Sequence, residues 1–364
     1  MITLTIVAMC LLAVFVFFKQ PKFGDKPQDE RLRKVQASPN YNAQLKAFEN
    51  LSNTPQLAEG ESFGKIMYRF FFDKSKRSKP ARPLPTVKND LKGLLPKENV
   101  LIWFGHSSYF IQTDGKTILA DPVFSGKASP VNGTKAFAGS DAYNAADMPD
   151  IDYLFISHDH WDHLDYKTVT ALLPKVKRVI TGLGVGCHLE FWGYDPAKIT
   201  ELDWYESVSF DDGFNFTATP GRHFSGRDLK RNKTLWISAV LKTPLHKFFL
   251  GGDTGFDSHF EEIGNQYGPF DLALLECGQY NPAWKYIHMM PEEVITAAKQ
   301  LRVRKLMPVH WAKFSLALHD WDEPIKRVTA AAEKEAMPIL TPMIGEKVYF
   351  DGPAKFARWW ENLA

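Results

Sequence analysis

The sequence is poor in cysteine and almost balanced in charge. Its 364 residues include three cysteines, too few and too scattered for a disulfide framework or a cysteine-based zinc module. Lysine and arginine exceed aspartate and glutamate by only two, 44 against 42, which argues against a chain that coats nucleic acid. We therefore expect no nucleic-acid partner. The eleven histidines are the residues best suited to bind a metal.

The sequence also lacks any short-period repeat, and it carries one long uncharged run. Hydrophobic residues make up 45% and charged residues 24% of the chain, which suits a packed globular protein and excludes collagen, coiled coil and polytopic membrane proteins. The uncharged run covers residues 2–18. At about 1.5 Å per residue it spans about 26 Å, close to the hydrocarbon core of about 30 Å. We expect residues 1–20 to form a single-pass transmembrane anchor; the alternative is a buried core helix.

The flanks of this run predict its orientation. Lys19, Lys22 and Lys26 follow it and no basic residue precedes it, so the main domain is expected on the cytoplasmic side of the membrane. Residues 20–62 are polar and contain four prolines, which indicates a linker. The predicted localisation is therefore the membrane.

Residues 65–83 combine basic and aromatic side chains. Seven lysines and arginines stand against Asp73 alone, a local charge of +6, and Tyr68 and three phenylalanines lie among them. Such a segment suits an anionic membrane surface, where each cation contributes about 1 kcal/mol and aromatic rings enter the interface. The alternative, given equal weight, is a solvated basic loop whose aromatic rings pack into the core.

From residue 99 onward, strand and helix patterns alternate. The Asp114-Gly115 pair between two apolar runs predicts a hairpin, because both residues tolerate positive φ. Helices are predicted at residues 165–173, 291–301 and 322–336. Further strands are predicted at residues 153–157, 178–181, 214–219, 235–241, 247–250, 271–276 and 305–309. Hairpins mixed with strand-helix units favour a layered α/β fold.

A dense group of metal-binding side chains follows the strand at 153–157. His158, His160, Asp162 and His163 lie within six residues. Imidazoles and carboxylates are the ligands that zinc and other first-row metals prefer. In an extended loop the first two histidines point the same way, while the last two residues turn toward a second point. One short run can thus serve two metals.

Three further residues of this kind follow later strands. They are His223, Asp253 and His310. Ligands in α/β sheets gather beyond the carboxyl ends of strands, so one composite site is expected. Gly251 and Gly252 permit a close backbone approach, which lets the short side chain of Asp253 bridge two cations.

Several of these segments together resemble one family. IWFGHSSYFIQ, ISHDHWDHLD, GRHFSGR, LGGDTG and HMMPEEV are similar to the metallo-β-lactamase superfamily, and within it to the branch of N-acyl-phosphatidylethanolamine-hydrolysing phospholipase D. The resemblance implies a four-layer αβ/βα sandwich with two zinc ions between the sheets. We assign residues 96–364 to this catalytic domain and residues 21–95 to a linker and basic-aromatic extension.

The resemblance also implies roles for individual residues. His158, His160 and His223 would hold one zinc, Asp162, His163 and His310 the other, and Asp253 would bridge them; other first-row divalent metals are alternatives. Asp253 would orient a bridging hydroxide and His288 would contact the scissile phosphate. His106 and Asp121 are expected to hydrogen bond to ligating residues. Trp161 and Asp159 stand where family members commonly have Tyr and Asn, at positions that line the substrate pocket.

The predicted function is a membrane-associated phosphodiesterase of the phospholipase D type, acting on N-acyl-phosphatidylethanolamine-like phospholipids through a two-metal bridging hydroxide. Its expected partners are the phospholipid and the membrane surface. One alternative is a lactonase, or a hydrolase of small esters or cyclic phosphodiesters. Another is a tethered binding protein that keeps a metal for stability. The sequence leaves lipid specificity and oligomeric state open, a homodimer included.

Overall fold

The computed structural model describes residues 2–352 and 355–363. Met1 is the first residue of the predicted anchor, and Ala364 is the last residue of the predicted catalytic domain. Both lie outside the described residues. The helices are α1 (Ile2–Phe18), α2 (Asp29–Ala37), α3 (Phe63–Phe72), α4 (Tyr166–Leu172), α5 (Gly186–Phe191), α6 (His259–Tyr267), α7 (Pro291–Gln300) and α8 (Glu323–Lys334).

Fifteen strands lie among these helices within the described ranges. They are β1 (Tyr41–Asn42), β2 (Ala47–Phe48), β3 (Val100–Trp103), β4 (Tyr109–Thr113), β5 (Lys116–Ala120), β6 (Ile151–Ile156), β7 (Val176–Gly182), β8 (Ile199–Leu202), β9 (Ser207–Ser209), β10 (Asn215–Thr219), β11 (Ser238–Lys242), β12 (Lys247–Leu250), β13 (Leu272–Glu276), β14 (Leu306–Val309) and β15 (Lys347–Tyr349).

Two mixed sheets carry the fold. One has seven strands in the order β15-β3-β4-β5-β6-β7-β8, and the other has six in the order β14-β13-β12-β11-β10-β9. Antiparallel pairing gives way to parallel pairing after β5 in the first sheet and after β12 in the second. The predicted hairpin is confirmed: β4 and β5 are joined by Asp114 and Gly115, with φ of 51° and 73°.

The central strands are buried on both faces, which explains their nearly continuous apolar sequences. In β6, Tyr153 and Phe155 lie in the core that also receives side chains of the six-stranded sheet. Leu154 and Ile156 point the other way, into a core that α4 and α5 complete. Helices α6, α7 and α8 pack against the six-stranded sheet. The expected layering of helix, sheet, sheet and helix is confirmed.

Helix α1 does not have the predicted role. Among the helices that the structure describes, none is both long enough and apolar enough to cross a bilayer. Helix α1 has 17 residues within the described ranges. The predicted transmembrane anchor at residues 1–20 is therefore wrong, and so are the membrane localisation and the orientation derived from it. The alternative of a buried helix also fails, because Leu11 and Phe15 are 65% and 60% exposed.

The segment predicted as a linker is folded onto the sandwich. Val35 in α2 and Phe48 in β2 are buried in the core between the sheets. The Phe48 N–H donates a hydrogen bond to the Asn232 carbonyl at 2.8 Å, and the Leu84 N–H donates to that of Ala138 at 2.7 Å. These contacts attach Val35, Phe48 and Leu84 to the sandwich, and the assignment of residues 21–95 as an extension stays a prediction.

Candidate metal centre

The predicted metal-binding residues come from loops at one edge of the two sheets. The run from His158 to His163 directly follows β6. His223 follows β10, Asp253 follows β12 and His310 follows β14. Because the carboxyl ends of parallel strands meet at the same edge of a sheet, these loops converge there. The structure brings all seven predicted ligands into one centre, in which His160 is half-buried and the other six are buried.

Three imidazoles form one half of this centre. The nitrogens His158 Nε2 and His160 Nδ1 are 2.8 Å apart, and His160 Nδ1 is 3.2 Å from His223 Nε2. Together with Asp253 these histidines have ligand atoms that all lie within 4.8 Å of one another. This spacing suits coordination of a single cation by several side chains.

The second half holds Asp162, His163 and His310, and Asp253 lies between the two halves. Its Oδ2 is 3.1 Å from His163 Nε2 and 3.2 Å from His310 Nε2. The same oxygen is 3.9 Å from His158 Nε2 and 3.8 Å from His223 Nε2. One carboxylate oxygen thus faces imidazoles from both halves.

The chemistry of this centre fits two divalent metals. Within the described residues, the buried Asp253 Oδ1 has no hydrogen-bond partner. A buried carboxylate oxygen without a partner costs free energy, about 1–3 kcal/mol or more, and a cation would remove that cost. Five imidazoles and two carboxylates are also more ligands than the four of a single structural zinc.

His106 and Asp121 contact the predicted ligands. His106 Nε2 is 2.9 Å from Asp162 Oδ2. Asp121 Oδ2 is 2.8 Å from His163 Nδ1, and its carboxylate also accepts hydrogen bonds from the Ser157 backbone and hydroxyl at 2.8 and 2.6 Å. An acceptor at Nδ1 fixes which ring nitrogen of His163 faces the centre, so both side chains are placed to orient ligands.

Trp161 is half-buried at the outer side of the metal-binding loop. The Arg227 guanidinium lies over its ring, 4.1 Å from the ring centroid, and the Phe23 ring meets its edge at 5.1 Å. Trp161 also borders a cavity of about 360 Å³ together with Lys22, Lys127 and others. The predicted contact of Trp161 with substrate stays a prediction.

Asp159 is directed away from the centre, into the protein. Its carboxylate accepts hydrogen bonds from the Gly226 N–H at 2.6 Å and the Thr234 hydroxyl at 2.9 Å, and it lies 3.2 Å from His188 Nε2. It borders a cavity of about 590 Å³ that the seven metal-binding candidates do not line. These contacts hold the metal-binding loop in place, and its contact with substrate stays a prediction.

Comparison with known proteins places this geometry in a family. Residues 116–311, more than half of the chain, match the Beta-lactamase superfamily domain. The chain belongs to the metallo-β-lactamase superfamily. It is a metal-dependent hydrolase of this superfamily, and the expectation drawn from its motifs is confirmed at that level.

Relatives within the superfamily include named phospholipases. The chain is 32% identical to N-acyl-phosphatidylethanolamine-hydrolyzing phospholipase D 1 of Caenorhabditis elegans, over 65% of this chain and 74% of that one. It is 39% identical to an uncharacterized protein of Mycobacterium tuberculosis, over 89% and 87% of the two chains. Igni18, a metallo hydrolase of Ignicoccus hospitalis, shares the fold with a TM-score of 0.54 at 21% identity, over 70% of this chain and 99% of that one.

The surroundings of this superfamily centre shift the pKa values of two of its histidines in opposite directions. Burial, together with nearby imidazoles, lowers the pKa of His158 well below its ordinary value. Burial alone would also lower the pKa of His163, but the carboxylates of Asp253, Asp162 and Asp121 raise it to about 10. Metals bind only neutral imidazole, so a cation here would displace a proton from His163.

Two residues of this metallo-β-lactamase centre were missed in the sequence. The Asn50 side chain accepts a hydrogen bond from the His223 N–H at 3.0 Å and donates one to its carbonyl at 2.8 Å. Glu276 Oε2 lies 2.7 Å from Nδ1 of His288, whose ring centroid is 5.0 Å from that of His223. Glu276 ends a strand at the same edge as the ligands, a signal that could have found it. Asn50 lies in the extension, where no local pattern marks it.

Proposed function

We propose that the chain is a two-zinc phosphodiesterase of the phospholipase D type that acts on N-acyl-phosphatidylethanolamine-like phospholipids. The observation that carries this proposal is the position of Asp253 Oδ2 between two groups of imidazoles, with His288 beside both. The printed names of the Caenorhabditis elegans and Saccharomyces cerevisiae relatives, 32% and 33% identical, support the substrate class.

The reaction is hydrolysis of a phosphodiester. Two divalent cations, when bound, supply a nucleophile from water at neutral pH and polarise a phosphoryl oxygen. Asp253 accepts a hydrogen bond from the attacking water, and His288 donates one to the phosphate through Nε2, because Glu276 lies at its Nδ1. The water oxygen binds phosphorus, the bond from phosphorus to the acylethanolamine oxygen breaks, and the departing alcohol takes the proton from water. The products are phosphatidic acid and an N-acylethanolamine.

An apolar wall beside the centre suits an acyl chain. The Phe224 ring lies 4.5 Å from the His160 ring and 4.7 Å from the His223 ring, measured between centroids. Phe224 packs against a buried cluster that includes Trp284 and Ile287. Apolar side chains next to a polar reaction centre are typical of sites that bind amphiphilic ligands.

Helix α3 is the candidate for contact with a lipid surface. One side of it is anchored, since Ile66 is buried and Phe70 stacks on Trp284 at 6.2 Å. On the rest of the helix, Phe71 and Phe72 are 74% and 71% exposed. Exposed aromatic rings next to the basic residues that follow α3 suit an anionic interface. The helix thereby joins that surface to the apolar wall of the metal centre.

Substitution of both exposed phenylalanines tests this contact. Phe71→Ser with Phe72→Ser is expected to reduce sedimentation with vesicles of phosphatidylcholine and phosphatidylserine by about tenfold or more, since each buried ring contributes about 1.5–3 kcal/mol. Leu245→Ser is the matched control, because Leu245 is 67% exposed in the turn between β11 and β12, at the opposite edge of the sheet. Equal sedimentation of both variants and wild type would contradict the role of α3.

A substrate panel tests the proposed reaction. Zinc-loaded protein in mixed micelles is expected to release phosphatidic acid from N-acyl-phosphatidylethanolamine, with kcat/KM at least about tenfold above that for any lactone or cyclic phosphodiester, a gap of about 1.4 kcal/mol in the barrier. A reversed order would favour the hydrolase of small substrates. Metal-loaded protein that turns over no member of the panel would favour a binding protein.

A further inference from the structure

Glu276 is a buried carboxylate whose position is fixed by the backbone. It is the last residue of β13 and is 1% exposed. Its Oε1 accepts hydrogen bonds from the N–H of Thr254 at 3.0 Å and of Met289 at 3.2 Å. These two donors belong to the loop after β12 and the loop that carries His288. The carboxylate thus has one orientation, with Oε2 directed to the other side.

Oε2 of Glu276 faces two imidazoles at once. It lies 2.7 Å from His288 Nδ1 and 3.3 Å from His310 Nδ1. The two rings are stacked, with centroids 5.2 Å apart and planes 19° from parallel. Carboxylate and carbonyl oxygens accept hydrogen bonds, and His310 Nδ1 also hydrogen bonds to the Gly278 carbonyl at 3.3 Å, so both Nδ1 atoms are placed to donate. The Nε2 atoms then remain for other partners, and His310 Nε2 is 3.2 Å from Asp253 Oδ2.

We infer that Glu276 is a shared positioning residue, which holds the metal ligand His310 and the phosphate-contacting His288 with Nε2 of each toward the reaction. The part that concerns His288 rests on the proposed function; the part that concerns His310 rests on the metal centre alone. Glu276 acts through both rings and touches neither water nor phosphate itself. It couples the binding of one metal to the placement of the group that meets the substrate.

A different role, direct ligation of a cation, is the competing reading of the same contacts. Ligand atoms of Asp253, Glu276, His288 and His310 all lie within 4.8 Å of one another. However, Oε1 already has two backbone donors, and Oε2 lies 2.7 Å from His288 Nδ1. His310 Nδ1 lies 3.3 Å from the same Oε2 and also 3.3 Å from the Gly278 carbonyl, to which it is hydrogen bonded. A carboxylate has about four lone-pair positions, and three hydrogen bonds with His310 Nδ1 close by leave little room for a cation. Positioning is therefore the role that the contacts favour.

Glu276→Gln separates these roles because an amide cannot accept on both sides. If its oxygen faces Thr254 and Met289, its NH₂ group meets the Nδ1 of both imidazoles and drives hydrogen onto their Nε2 atoms. If the amide oxygen instead faces the imidazoles, the NH₂ group faces the backbone N–H groups of Thr254 and Met289, so that donors face a donor. Glu293→Gln is the matched control, since Glu293 accepts a hydrogen bond from the Met290 N–H at 2.8 Å on the same loop.

The first measurement is zinc binding followed by chelator competition. We expect the Glu276→Gln variant to hold two equivalents at saturating zinc but to release the second about 10–100-fold more readily than wild type, as for other groups that orient a metal-bound histidine. Glu293→Gln is expected to behave as wild type. Glu276→Asp, which keeps the charge, is the second variant and is expected to give an intermediate affinity. If the Glu276→Gln variant binds zinc as tightly as the Glu293→Gln variant, the inference is overturned. If the Glu276→Gln variant holds only one equivalent at saturating zinc, Glu276 is a metal ligand and not a positioning residue.

The second measurement is a double-mutant cycle at saturating zinc. Glu276→Gln alone is expected to lower kcat by about 100-fold with KM changed less than threefold, a loss of the size found when a proton-donating group is misplaced. In the His288→Ala background the same substitution is expected to cause no further loss, because the group it positions is gone. If the losses in kcat from Glu276→Gln and His288→Ala add in the double variant, Glu276 does not act through His288. The zinc affinity is measured without substrate. If the proposed reaction is not observed, the first measurement therefore still tests the role of Glu276 at His310.

Discussion

Asp253→Asn is expected to lower kcat/KM by at least about 10³-fold, which corresponds to about 4 kcal/mol of transition-state stabilisation. The physical reason is the position of Asp253 Oδ2, within 3.1–3.9 Å of imidazoles from both halves of the centre. An amide in its place would remove the negative charge that two bound cations would share, and it would turn one acceptor into a donor. Steady-state assays together with metal analysis measure the effect.

A nearby aspartate supplies the control for this substitution. Asp257→Asn changes the same group four residues later, where the carboxylate lies 3.6 Å from Arg222 and contacts none of the metal-binding candidates within the described residues. It is expected to keep activity within about twofold, because this partly buried ion pair, with side chains 15% and 22% exposed, includes none of the metal-binding candidates. Full activity of Asp253→Asn with both metals retained would contradict a reaction that depends on this carboxylate.

Removal of the metals is expected to abolish turnover and to lower the melting temperature by about 5–10 °C. Metals that bind only the folded chain stabilise it by mass action, by about 4 kcal/mol at a thousandfold excess over Kd. Within the part of the chain that the structure describes, the buried Asp253 Oδ1 has no hydrogen-bond partner, and a cation would remove the cost of this unpaired oxygen. A chelator titration followed by calorimetry measures the shift.

Zinc should restore both properties after chelation, and magnesium should not, because magnesium prefers oxygen ligands over imidazole. A melting temperature that stays constant while metal analysis falls below about 0.1 equivalents would contradict a metal centre built into the folded state.

Local sequence patterns predicted those parts of the fold that depend on neighbouring residues. The helices predicted at 165–173, 291–301 and 322–336 correspond to α4, α7 and α8, with ends that differ by up to two residues. The strands predicted at 247–250 and 305–309 correspond to β12 and β14. A short apolar run that ends at glycine or a polar residue is typical of a buried strand.

Elements stabilised by distant parts of the chain were not predicted. Strand β8 is a half-buried edge strand of mixed polarity, and it is formed through parallel pairing with β7. Strand β15 pairs with β3, almost 250 residues earlier in the chain. The apolar sequence of α1 predicted a membrane span, yet among the described helices none is both long enough and apolar enough for one.

The clustering of the candidate metal-binding residues was predictable because four of them share one short run and the others follow strands. Contacts that hold them were harder to find. Asn50 reaches His223 from 173 residues away, and its segment resembled a linker. Glu276 stands in an otherwise apolar strand, where only the sheet geometry shows that its carboxylate lies 2.7 Å from His288 Nδ1 and 3.3 Å from His310 Nδ1.

The most direct test of this account is a crystal structure of the zinc-loaded protein with anomalous scattering data at the zinc edge. We predict two peaks about 3.5–4 Å apart, one on each side of Asp253 Oδ2. One should lie within bonding distance of His158, His160 and His223, and the other of Asp162, His163 and His310. A single peak, or a peak bonded to Glu276, would contradict the two-metal centre proposed for this chain.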